Sequence, residues 1–482
     1  MLEKKSRIEL MSVFKRIIFL IGFPVLFSGV VFAQEQLSLL EAVKKGLQNN
    51  FDARIQQLEV EQAKRLNSWG QAGRLPTVNL TANQNNSVIE RKPANPFAVA
   101  GRNISNGAPG QLDIQWTLFN GFAVRLNKER LETLEQQTEG NAQFILENTV
   151  QTIILAYYNV LLEQERLKVR KQGLQFSKQL YEYVQLRKKL GGAITLDVLQ
   201  QQNNFLTDSA NFLRQELALR SAERNLNELL NEDLNKSFQF IDKLEYSDES
   251  LDFESMRASL TRSNASLRNQ FTFQELQRIS RQSLQSSMYP SLTLSLGSTG
   301  SLDQLNARFR PTANGTVVKN TIGYLNDDDN QPVISRSFAP EYRTLQGYSY
   351  GAFANLTMRF TLFNGGQVRR AIKNAEVEQK IVQLGTERLK LSLENDLMTD
   401  LEQYDLRRHL VSIAQTKLKA AELNLNLAYE RYKNGSFSTI DLRIIEENFL
   451  NAALENYLAV FDVLAAKTDL VRLTGGLLED YR

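Results

Sequence analysis

Cysteine is absent from the 482-residue sequence, and histidine occurs once, at His409. The lack of cysteine excludes a disulfide framework, a thiol nucleophile, cysteine-ligated zinc and a lipid-modified cysteine. One histidine, in a polar run typical of a solvated helix position, argues against a histidine-based metal site or catalytic triad. The sequence also lacks a phosphate-binding loop, a GxGxxG motif and a zinc signature. We therefore predict that the protein is not an enzyme and needs no cofactor or metal.

Net charge is nearly absent once the N-terminus is set aside. The first 33 residues hold five basic and two acidic side chains, and removing these from the totals of 57 and 54 leaves 52 of each sign. Lys15-Arg16 precede an apolar run that ends at Ala33. This pattern is typical of a signal peptide, which we assign to residues 1–33, so the protein is exported. The alternative is an uncleaved anchor, but a glycine and a proline interrupt the run and it is short for a membrane-spanning helix. We expect no transmembrane helix in the mature chain.

Proline is scarce, with 9 residues, and the stretches that lack it are long. None occurs between Phe122 and Leu190, and an unbroken helix of that length would extend about 100 Å. Apolar residues recur there every seven positions, and they do so again 244 positions later. A strict repeat of seven predicts a left-handed coiled coil with a partner helix. We predict long helices at 122–190 and 367–433, and returning helices at 195–230 and 439–473.

Before each long helix the sequence has a period of two. From position 351 apolar and polar residues alternate, which predicts a β-strand with one apolar and one polar face. This run ends in Thr-Leu-Phe-Asn-Gly at Thr361–Gly365, and the same five residues end an alternating run at Thr117–Gly121. Two further alternating runs follow Leu75-Pro76 and Tyr289-Pro290. We predict strands at 77–83, 111–119, 290–297 and 351–363, with loops at 85–110 and 297–350.

Both halves of the chain thus have one layout of helix, strand, loop, strand, long helix and returning helix. We predict an internal duplication, with a first structural repeat at 34–250, which ends in a polar equatorial linker, and a second at 251–482. Strands can cross a membrane only as a closed barrel, and known single-chain barrels begin at about eight strands. Four strands per chain are too few. Copies of the chain must therefore pool their strands, about eight in a dimer or twelve in a trimer.

This layout resembles the TolC family of outer-membrane efflux proteins, over essentially the whole mature chain. The resemblance rests on the Leu-Pro and Tyr-Pro strand starts, the two Thr-Leu-Phe-Asn-Gly strand ends, and the paired helix turns at 191–197 and 435–441. It implies a mixed α+β membrane protein: a homotrimer whose 12-stranded β-barrel, four strands per chain, is continuous with a long α-helical coiled-coil barrel.

The resemblance also implies a function. The protein would be the outer-membrane channel of a Gram-negative bacterium, with a helical tunnel across the periplasm. It would be the exit duct of a tripartite efflux pump or of a type I secretion system, and would passively export small molecules or proteins. Its partners would be a periplasmic adaptor (membrane fusion protein), an inner-membrane transporter and outer-membrane lipid, without nucleic acid. The alternative is an exported periplasmic coiled-coil adaptor or scaffold without a barrel, which would not need two copies of the alternating strand.

Candidate gate residues follow from the same resemblance. Asp441 matches an aspartate at the family's periplasmic constriction, and Tyr432 matches a tyrosine of its closed-state latch. Asp197 is the equivalent of Asp441, 244 positions earlier, so a trimer would bring six carboxylates to one axis as an acidic ring. The chain departs from the family pattern at Ile444, where a second aspartate is expected, and at Phe437, where an arginine is expected.

A second interpretation of the two aspartates is purely structural. An N-cap at Thr195 or Thr439 would place each carboxylate in a first helical turn, where it favours the helix dipole. On the predicted strands Trp116, Met358 and Phe360 share the apolar parity, so we expect them to contact lipid. Arg359 has the opposite parity and should face the lumen.

Overall fold

A computed structural model of the chain describes residues 35–94, 99–311, 314–325 and 331–480. The predicted signal peptide and residues 326–330 of the predicted long loop lie outside these ranges. The chain divides into two compact units, one formed by the residues up to Ala42 with Ala156–Glu245, the other by Val43–Leu155 with Tyr246–Arg482. This partition differs from the predicted repeats at 34–250 and 251–482, which stay a prediction.

Helices and strands alternate along the chain in blocks, as expected for the mixed α+β class, which is confirmed. The helices of the described residues are α1 (Leu39–Asn49), α2 (Phe51–Leu66), α3 (Ala123–Lys189), α4 (Thr195–Leu229), α5 (Phe253–Ser263), α6 (Ala265–Ser286), α7 (Gln367–Lys433), α8 (Thr439–Leu473) and α9 (Leu477–Asp480). The strands are β1 (Glu35–Leu37), β2 (Thr77–Ala82), β3 (Asn85–Arg91), β4 (Gly101–Asn120), β5 (Phe238–Phe240), β6 (Ser291–Phe309), β7 (Val317–Tyr324), β8 (Pro332–Phe338) and β9 (Glu341–Arg359).

The four longest helices lie where the missing prolines predict them. α3 and α7 have 67 residues each, and α4 and α8 have 35 each. α7 and α8 begin and end at the predicted residues, whereas α3 and α4 deviate by one residue at most. Glycines with positive φ, Gly191 at 80° and Gly435 at 74°, follow the two 67-residue helices. A residue without a side chain adopts this left-handed conformation at no steric cost, so the helix ends there.

α7 buries its seven-residue stripe within its own unit, where α8 packs along it. Leu397, Tyr404 and Val411 are completely buried, and Leu442 and Leu470 of α8 are equally inaccessible. Burying each such side chain stabilises the pair by about 1.5–3 kcal/mol. The predicted coiled-coil partner of this stretch is therefore the returning helix of the same chain.

The first unit contains a short parallel pair, β1 with β5, which the sequence analysis did not predict. Tyr157 of α3 is completely buried beside it, and its hydroxyl lies 3.0 Å from the Leu37 carbonyl oxygen and 2.8 Å from Asp242 Oδ2. Asp242 Oδ2 also accepts the Leu39 N–H at 2.7 Å, at the start of α1. Burial, and next the Asp242 carboxylate, raise the pKa of Tyr157. The predicted polar linker before position 250 therefore contains an ordered anchor for the N-terminal segment.

The second unit contains one antiparallel sheet in the order β2-β4-β6-β9, with β3 pairing β4 beyond the end of β2. The predicted loops at 85–110 and 297–350 are wrong in large part. β3 and half of β4 lie in the first, and the outer parts of β6 and β9 and the hairpin of β7 with β8 lie in the second. Their Gly, Asn and Ser residues suit turns, but here the ladder of backbone hydrogen bonds overrides that preference. The strand predicted at 351–363 also ends at Arg359 rather than at 363.

The layout predicts one helix before the first strand of each half, and in the structure each of these helices is broken by an asparagine. Asn50 separates α1 from α2, and its side-chain oxygen accepts the backbone N–H groups of Asp52 and Ala53 at 2.9 and 3.3 Å. Asn264 separates α5 from α6 and accepts the Leu267 N–H at 2.9 Å. Both asparagines satisfy helix N-terminal donors that would otherwise lack a partner.

Among the described helices, α8 alone is long and apolar enough to qualify as a membrane-spanning helix by length and composition. The sequence predicts no such helix after the signal peptide. The apolar residues of α8 have a different explanation in the structure, because many of them, including Val460, Val463 and Leu470, are buried against the rest of the unit. A helix that is apolar on a wide face is also what a packed interior requires.

Candidate functional site

The β2-β4-β6-β9 sheet separates apolar from polar side chains by its register. Directly paired residues point to the same face, and the pairs Val78–Ile114, Ile114–Leu296 and Leu296–Ala354 continue one row across all four strands. The rows on either side have the same character. We call this side the apolar face; its members are Val78, Leu80, Leu112, Ile114, Trp116, Leu292, Leu294, Leu296, Ala352, Ala354, Leu356 and Met358.

The apolar face has the height of a bilayer core. Met358 lies near one end of it, and the exposed rings of Tyr348 and Tyr350 lie at the other. The ten residue-to-residue steps from 348 to 358 span about 34 Å along a strand, or about 25 Å at a tilt of 35–45°. Trp116 lies at the Met358 end, and its indole N–H donates to the Arg74 carbonyl oxygen at 2.9 Å. Aromatic rings with a polar handle at both ends of an apolar band are typical of membrane barrels.

The opposite side is the polar face. It has Asn79, Asp113, Ser295 and Asn355 along its rows, and Arg359 is paired with Ser291 at its base. The ring of Phe353 is an exception. It covers Gly297, where a Cβ would lie 2.6 Å from the ring and 2.3 Å from the Leu112 carbonyl oxygen. Only glycine fits at that position.

The predicted lipid-contacting residues differ in their placement. Trp116 and Met358 lie on the apolar face, 42% and 67% exposed. Phe360 follows the last residue of β9, so the alternation of the strand does not determine its direction, and its assignment to a strand was wrong. Arg359 is the last residue of β9 and lies on the polar face, as its parity predicts. Contact of any of these residues with lipid or lumen stays a prediction.

Both outer edges of the sheet lack a neighbouring strand within the described residues. β9 pairs with β6 only, and β2 and β3 pair with β4 only. The free edge of β9 alone extends over 19 residues. Unpaired N–H and C=O groups in such a row are a template for pairing with another chain, and they cannot be left unsatisfied in a membrane.

In the second unit Asp441 lies in the first turn of α8 and is exposed. The N-cap is Ser438, one residue before the predicted Thr439. Its hydroxyl oxygen accepts the Asp441 N–H at 3.1 Å and donates to Asp441 Oδ2 at 2.7 Å. The carboxylate therefore completes a capping motif, which supports the structural interpretation without occupying both carboxylate oxygens.

In the first unit Asp197 occupies the same position in α4. The N-cap is Ile194, not the predicted Thr195, and its backbone N–H donates to Asp197 Oδ2 at 3.1 Å. An isoleucine side chain cannot accept a hydrogen bond, so Asp197 is the side chain that caps this helix start. Asp197 is exposed.

The remaining gate candidates lie around the turn between α7 and α8. Tyr432 precedes the last residue of α7, and its carbonyl oxygen accepts the N–H of Gly435 at 3.0 Å. Its side chain is half-buried, as is that of Phe437. Ile444 is 52% exposed, one turn after the α8 N-terminus. The roles of Asp441, Asp197 and Tyr432 in a constriction stay predictions.

A second group of carboxylates, which the sequence does not predict, lies on the α7–α8 pair, far from the turn that joins the two helices. Burial raises the pKa of Asp400, and the nearby carboxylates of Asp469 and Asp396 raise it further, against the opposing effect of Arg472 and Arg407. Asp469 Oδ1 accepts a hydrogen bond from the Gln151 side chain. Within the described residues no group of acidic or histidine side chains is arranged to hold a metal ion.

Comparison with known proteins shows what part of the sequence and the fold are similar to. The sequence profile of the outer membrane efflux protein family matches residues 42–232. No curated protein matches the chain by sequence. Among solved structures, the CmeC outer membrane channel of Campylobacter jejuni is 16% identical, with a TM-score of 0.67 over 91% of this chain and 85% of CmeC.

Two further channels have the same fold. The outer membrane protein VceC of Vibrio cholerae is 15% identical, with a TM-score of 0.64 over 91% of this chain and 96% of VceC. The MtrE outer membrane channel of Neisseria gonorrhoeae, solved in an open state, is 16% identical, with a TM-score of 0.63 over 91% of this chain and 89% of MtrE. The resemblance to TolC-like channels is thus confirmed: the chain has the outer membrane efflux protein sequence pattern in residues 42–232 and the fold of these channels over nine-tenths of its length.

Proposed function

We propose that the protein is a passive channel of the Gram-negative outer membrane, the exit duct of a tripartite efflux pump or of a type I secretion system. The observation that carries this proposal is the sheet of β2, β3, β4, β6 and β9, which is four strands wide and has one apolar face of bilayer height and two unpaired edges. In water its apolar face would be exposed, and in lipid the N–H and C=O groups of its edges would lack hydrogen-bond partners. A periplasmic adaptor or scaffold without a barrel would have no use for it.

The assembly that completes the sheet is a homotrimer. Pairing the free edge of β9 with the β2–β3 edge of a neighbouring copy closes a barrel, and three copies supply about twelve strands. The polar face with Arg359 then lines the lumen, and Trp116 and Met358 contact lipid. β4 and β9 each lead within a few residues into a 67-residue helix, so the same three copies also supply the wall of a helical tunnel.

Transport through this duct depends on partners. The resemblance supports a periplasmic adaptor and an inner-membrane transporter as those partners. The helix turns that carry Asp441 and Asp197 form the periplasmic tip, where their carboxylates line the constriction and Tyr432 belongs to the latch. Both aspartates are exposed, and the Asp441 carboxylate keeps an oxygen that the Ser438 contact does not use. Capping and a gate role are therefore compatible.

Single-channel recording tests the proposal. Purified protein in a planar bilayer should give small, uniform, cation-selective current steps, because a ring of carboxylates attracts cations to a narrow pore. A sealed constriction would also abolish the current, so an Asp441→Asn, Asp197→Asn double variant should be recorded in parallel. If neither protein conducts although both are folded and inserted, the proposed channel is contradicted.

A further inference from the structure

Two arginines extend the apolar face at the end far from the long helices. Arg308 is paired with Tyr342, and Arg102 lies two residues before Ile104, whose partner Asn306 lies two residues before Arg308. All five therefore have the parity of the apolar face, and Arg102 and Arg308 are neighbours on adjacent strands at its outer end. Both are exposed. We call Arg102, Arg308 and Tyr342 the rim cluster.

The rim cluster holds two cations, and a single carboxylate, Glu90, lies across the strand pair from one of them. Within the described residues neither Arg102 nor Arg308 forms an ion pair, although like charges on neighbouring strands destabilise a sheet. Glu90, the register partner of Arg102, is the one acidic residue of the described strands on this side of the rim, and it forms no salt bridge with Arg102. By contrast, Arg343 lies on the polar face and is ion-paired with Glu341. The apolar-face side of this rim therefore carries two arginines and one carboxylate, a net positive charge, whereas Arg343 is neutralised by its neighbour.

Local contacts hold the two arginines in place. The Arg308 guanidinium lies 5.8 Å from the centroid of the Tyr342 ring and donates to the Pro340 carbonyl oxygen at 3.4 Å. The Tyr342 hydroxyl accepts the Arg102 backbone N–H at 3.3 Å. The stem of Arg308 occupies space that Gly101 leaves open, because a Cβ there would lie 2.8 Å from Arg308 Cδ. These contacts leave most of the guanidinium donors of both residues available.

The position of the rim cluster indicates which anion it meets. Tyr342 lies six residues beyond Tyr348, about 20 Å along the strand. At a strand tilt of 35–45° it lies about 16 Å above the level of Tyr348 and Tyr350, which marks the end of the apolar face. Arginine side chains can extend back toward the membrane surface. A phospholipid headgroup layer is thin, whereas lipopolysaccharide carries phosphates both on lipid A, at the acyl boundary, and on the inner-core sugars, which project beyond it. Planar guanidinium groups bind phosphate through paired, charge-assisted hydrogen bonds.

We propose that the rim cluster binds the phosphate groups of lipopolysaccharide in the outer leaflet. The proposal rests on the proposed outer-membrane function and specifies which lipid surrounds the barrel on its outer side. The bound phosphates neutralise Arg102 and Arg308, whose charges otherwise repel each other. The lipopolysaccharide molecule is thereby held beside the adjacent strands β4 and β6, above the apolar face.

The test compares variants in phospholipid nanodiscs, with rough lipopolysaccharide that carries phosphates on lipid A and on its inner core as the probe. The double variant Arg102→Gln, Arg308→Gln should bind this probe about tenfold more weakly than the wild type, since each charged hydrogen bond to phosphate contributes at least this much in favourable cases. The matched control is Arg343→Gln, which removes one cation from the same rim but from the polar face. It should bind as the wild type does.

The same lipopolysaccharide after dephosphorylation should bind the wild type and the double variant equally. Equal binding of the phosphorylated probe to wild type and double variant would overturn the proposal, as would an equal loss in Arg343→Gln. Membrane insertion and oligomer formation are measured first for each protein. A wild type that fails to insert would refute the outer-membrane function itself, whereas an inserted, conducting channel with no phosphate preference would refute the lipid site alone.

Discussion

Asp441 shows how one carboxylate can serve a helix and a pore together. Its contact with Ser438 needs an acceptor oxygen, whereas an acidic ring needs the net charge. Replacement by asparagine separates these two requirements, because the amide keeps an acceptor oxygen of nearly the same shape. The helix start should therefore survive a substitution that removes the charge.

We expect Asp441→Asn to lower cation selectivity and to weaken block by multivalent cations, and Asp197→Asn to increase both effects. Reversal potentials in a salt gradient measure the selectivity. Glu455→Gln is the control, because it removes a carboxylate from the same helix that is ion-paired with Lys417. Unchanged reversal potentials in both aspartate variants would exclude these residues from the constriction.

Asp400 gives a residue-scale prediction about pH. Its folded-state pKa is raised, mainly by burial and then by Asp469 and Asp396, so folding favours the protonated form. Ionised Asp400 therefore destabilises the folded chain above its folded-state pKa, and this penalty vanishes as the pH falls below the unfolded value of about 4. Asp400→Asn should raise the apparent unfolding temperature at neutral pH and lose this advantage in acid.

Thermal unfolding of detergent-solubilised protein between about pH 4 and pH 8 checks this expectation. Asp405→Asn is the matched control, because Asp405 is an exposed carboxylate of the same helix that pairs with Arg408. It should not stabilise the protein at any pH. A gain for Asp400→Asn that is independent of pH would show that packing, and not ionisation, is the cause.

At the scale of elements, the β9 strand can be tested by a single charge on either face. An arginine at the bilayer midplane of a barrel costs about 2–4 kcal/mol on the lipid side. We expect Met358→Arg to reduce the yield of membrane-embedded oligomer, although its position toward one end of the apolar face places it at the lower end of this range. Extraction of the outer-membrane fraction followed by unheated gel electrophoresis measures the yield.

Thr357→Arg is the control for this substitution, since Thr357 is the neighbouring residue on the polar face of the same strand. It should insert at nearly wild-type yield, because a lumen-facing side chain stays in water. Equal yields for the two variants would contradict the assignment of faces. A reversed order would mean that the sheet presents its polar face to lipid.

The elements also show what sequence can and cannot predict. α7 and α8 were predicted to the residue because the absence of proline, the seven-residue period and the Asn-Gly turn all indicate the same bounds. The outer parts of β4, β6 and β9 were missed because their Gly, Asn and Ser residues satisfy rules for loops, and strand pairing across distant positions leaves no local signal. The breaks at Asn50 and Asn264 had a usable signal. They are 214 positions apart, as Leu75-Pro76 and Tyr289-Pro290 are.

The residues around the candidate site follow the same division. The positions of Asp441 and Asp197 in a first helical turn, and the sheet faces of Met358 and Arg359, were predicted. Repeats and alternation are visible in a sequence. The carboxylates around Asp400 and the pair Arg102–Arg308 were not predicted. Each depends on contacts between elements that are far apart along the chain, and no spacing rule connects their positions.

At the scale of the whole molecule, the absence of cysteine provides a direct test of the assembly. Cysteines introduced on the polar face of both edges, at Asn79 or Thr81 of β2 and at Asn355 or Thr357 of β9, have no native thiol to compete with them. If neighbouring copies pair edge to edge, oxidation should give covalent dimers and trimers for at least one combination. Single-cysteine variants should remain monomeric on denaturing gels.

Native mass measurement of the extracted protein provides the independent readout, with three chains expected. A complex of two chains, or cross-links that appear equally in the single-cysteine controls, would contradict a ring closed by the β9 and β2–β3 edges. The combination that cross-links also identifies the register across the subunit boundary, because opposed strands bring only particular residues within disulfide distance.

The unpaired edges have a consequence for inheritance. Each of the three proposed subunits supplies one third of the barrel wall. One defective subunit therefore damages every assembly that it joins. If a cell made wild-type and insertion-defective chains in equal amounts and they mixed at random, only about one trimer in eight would be free of the faulty subunit. Mutations that impair the sheet but leave its edges able to pair should therefore be dominant, whereas mutations that destroy an edge exclude the chain from assembly and should be recessive.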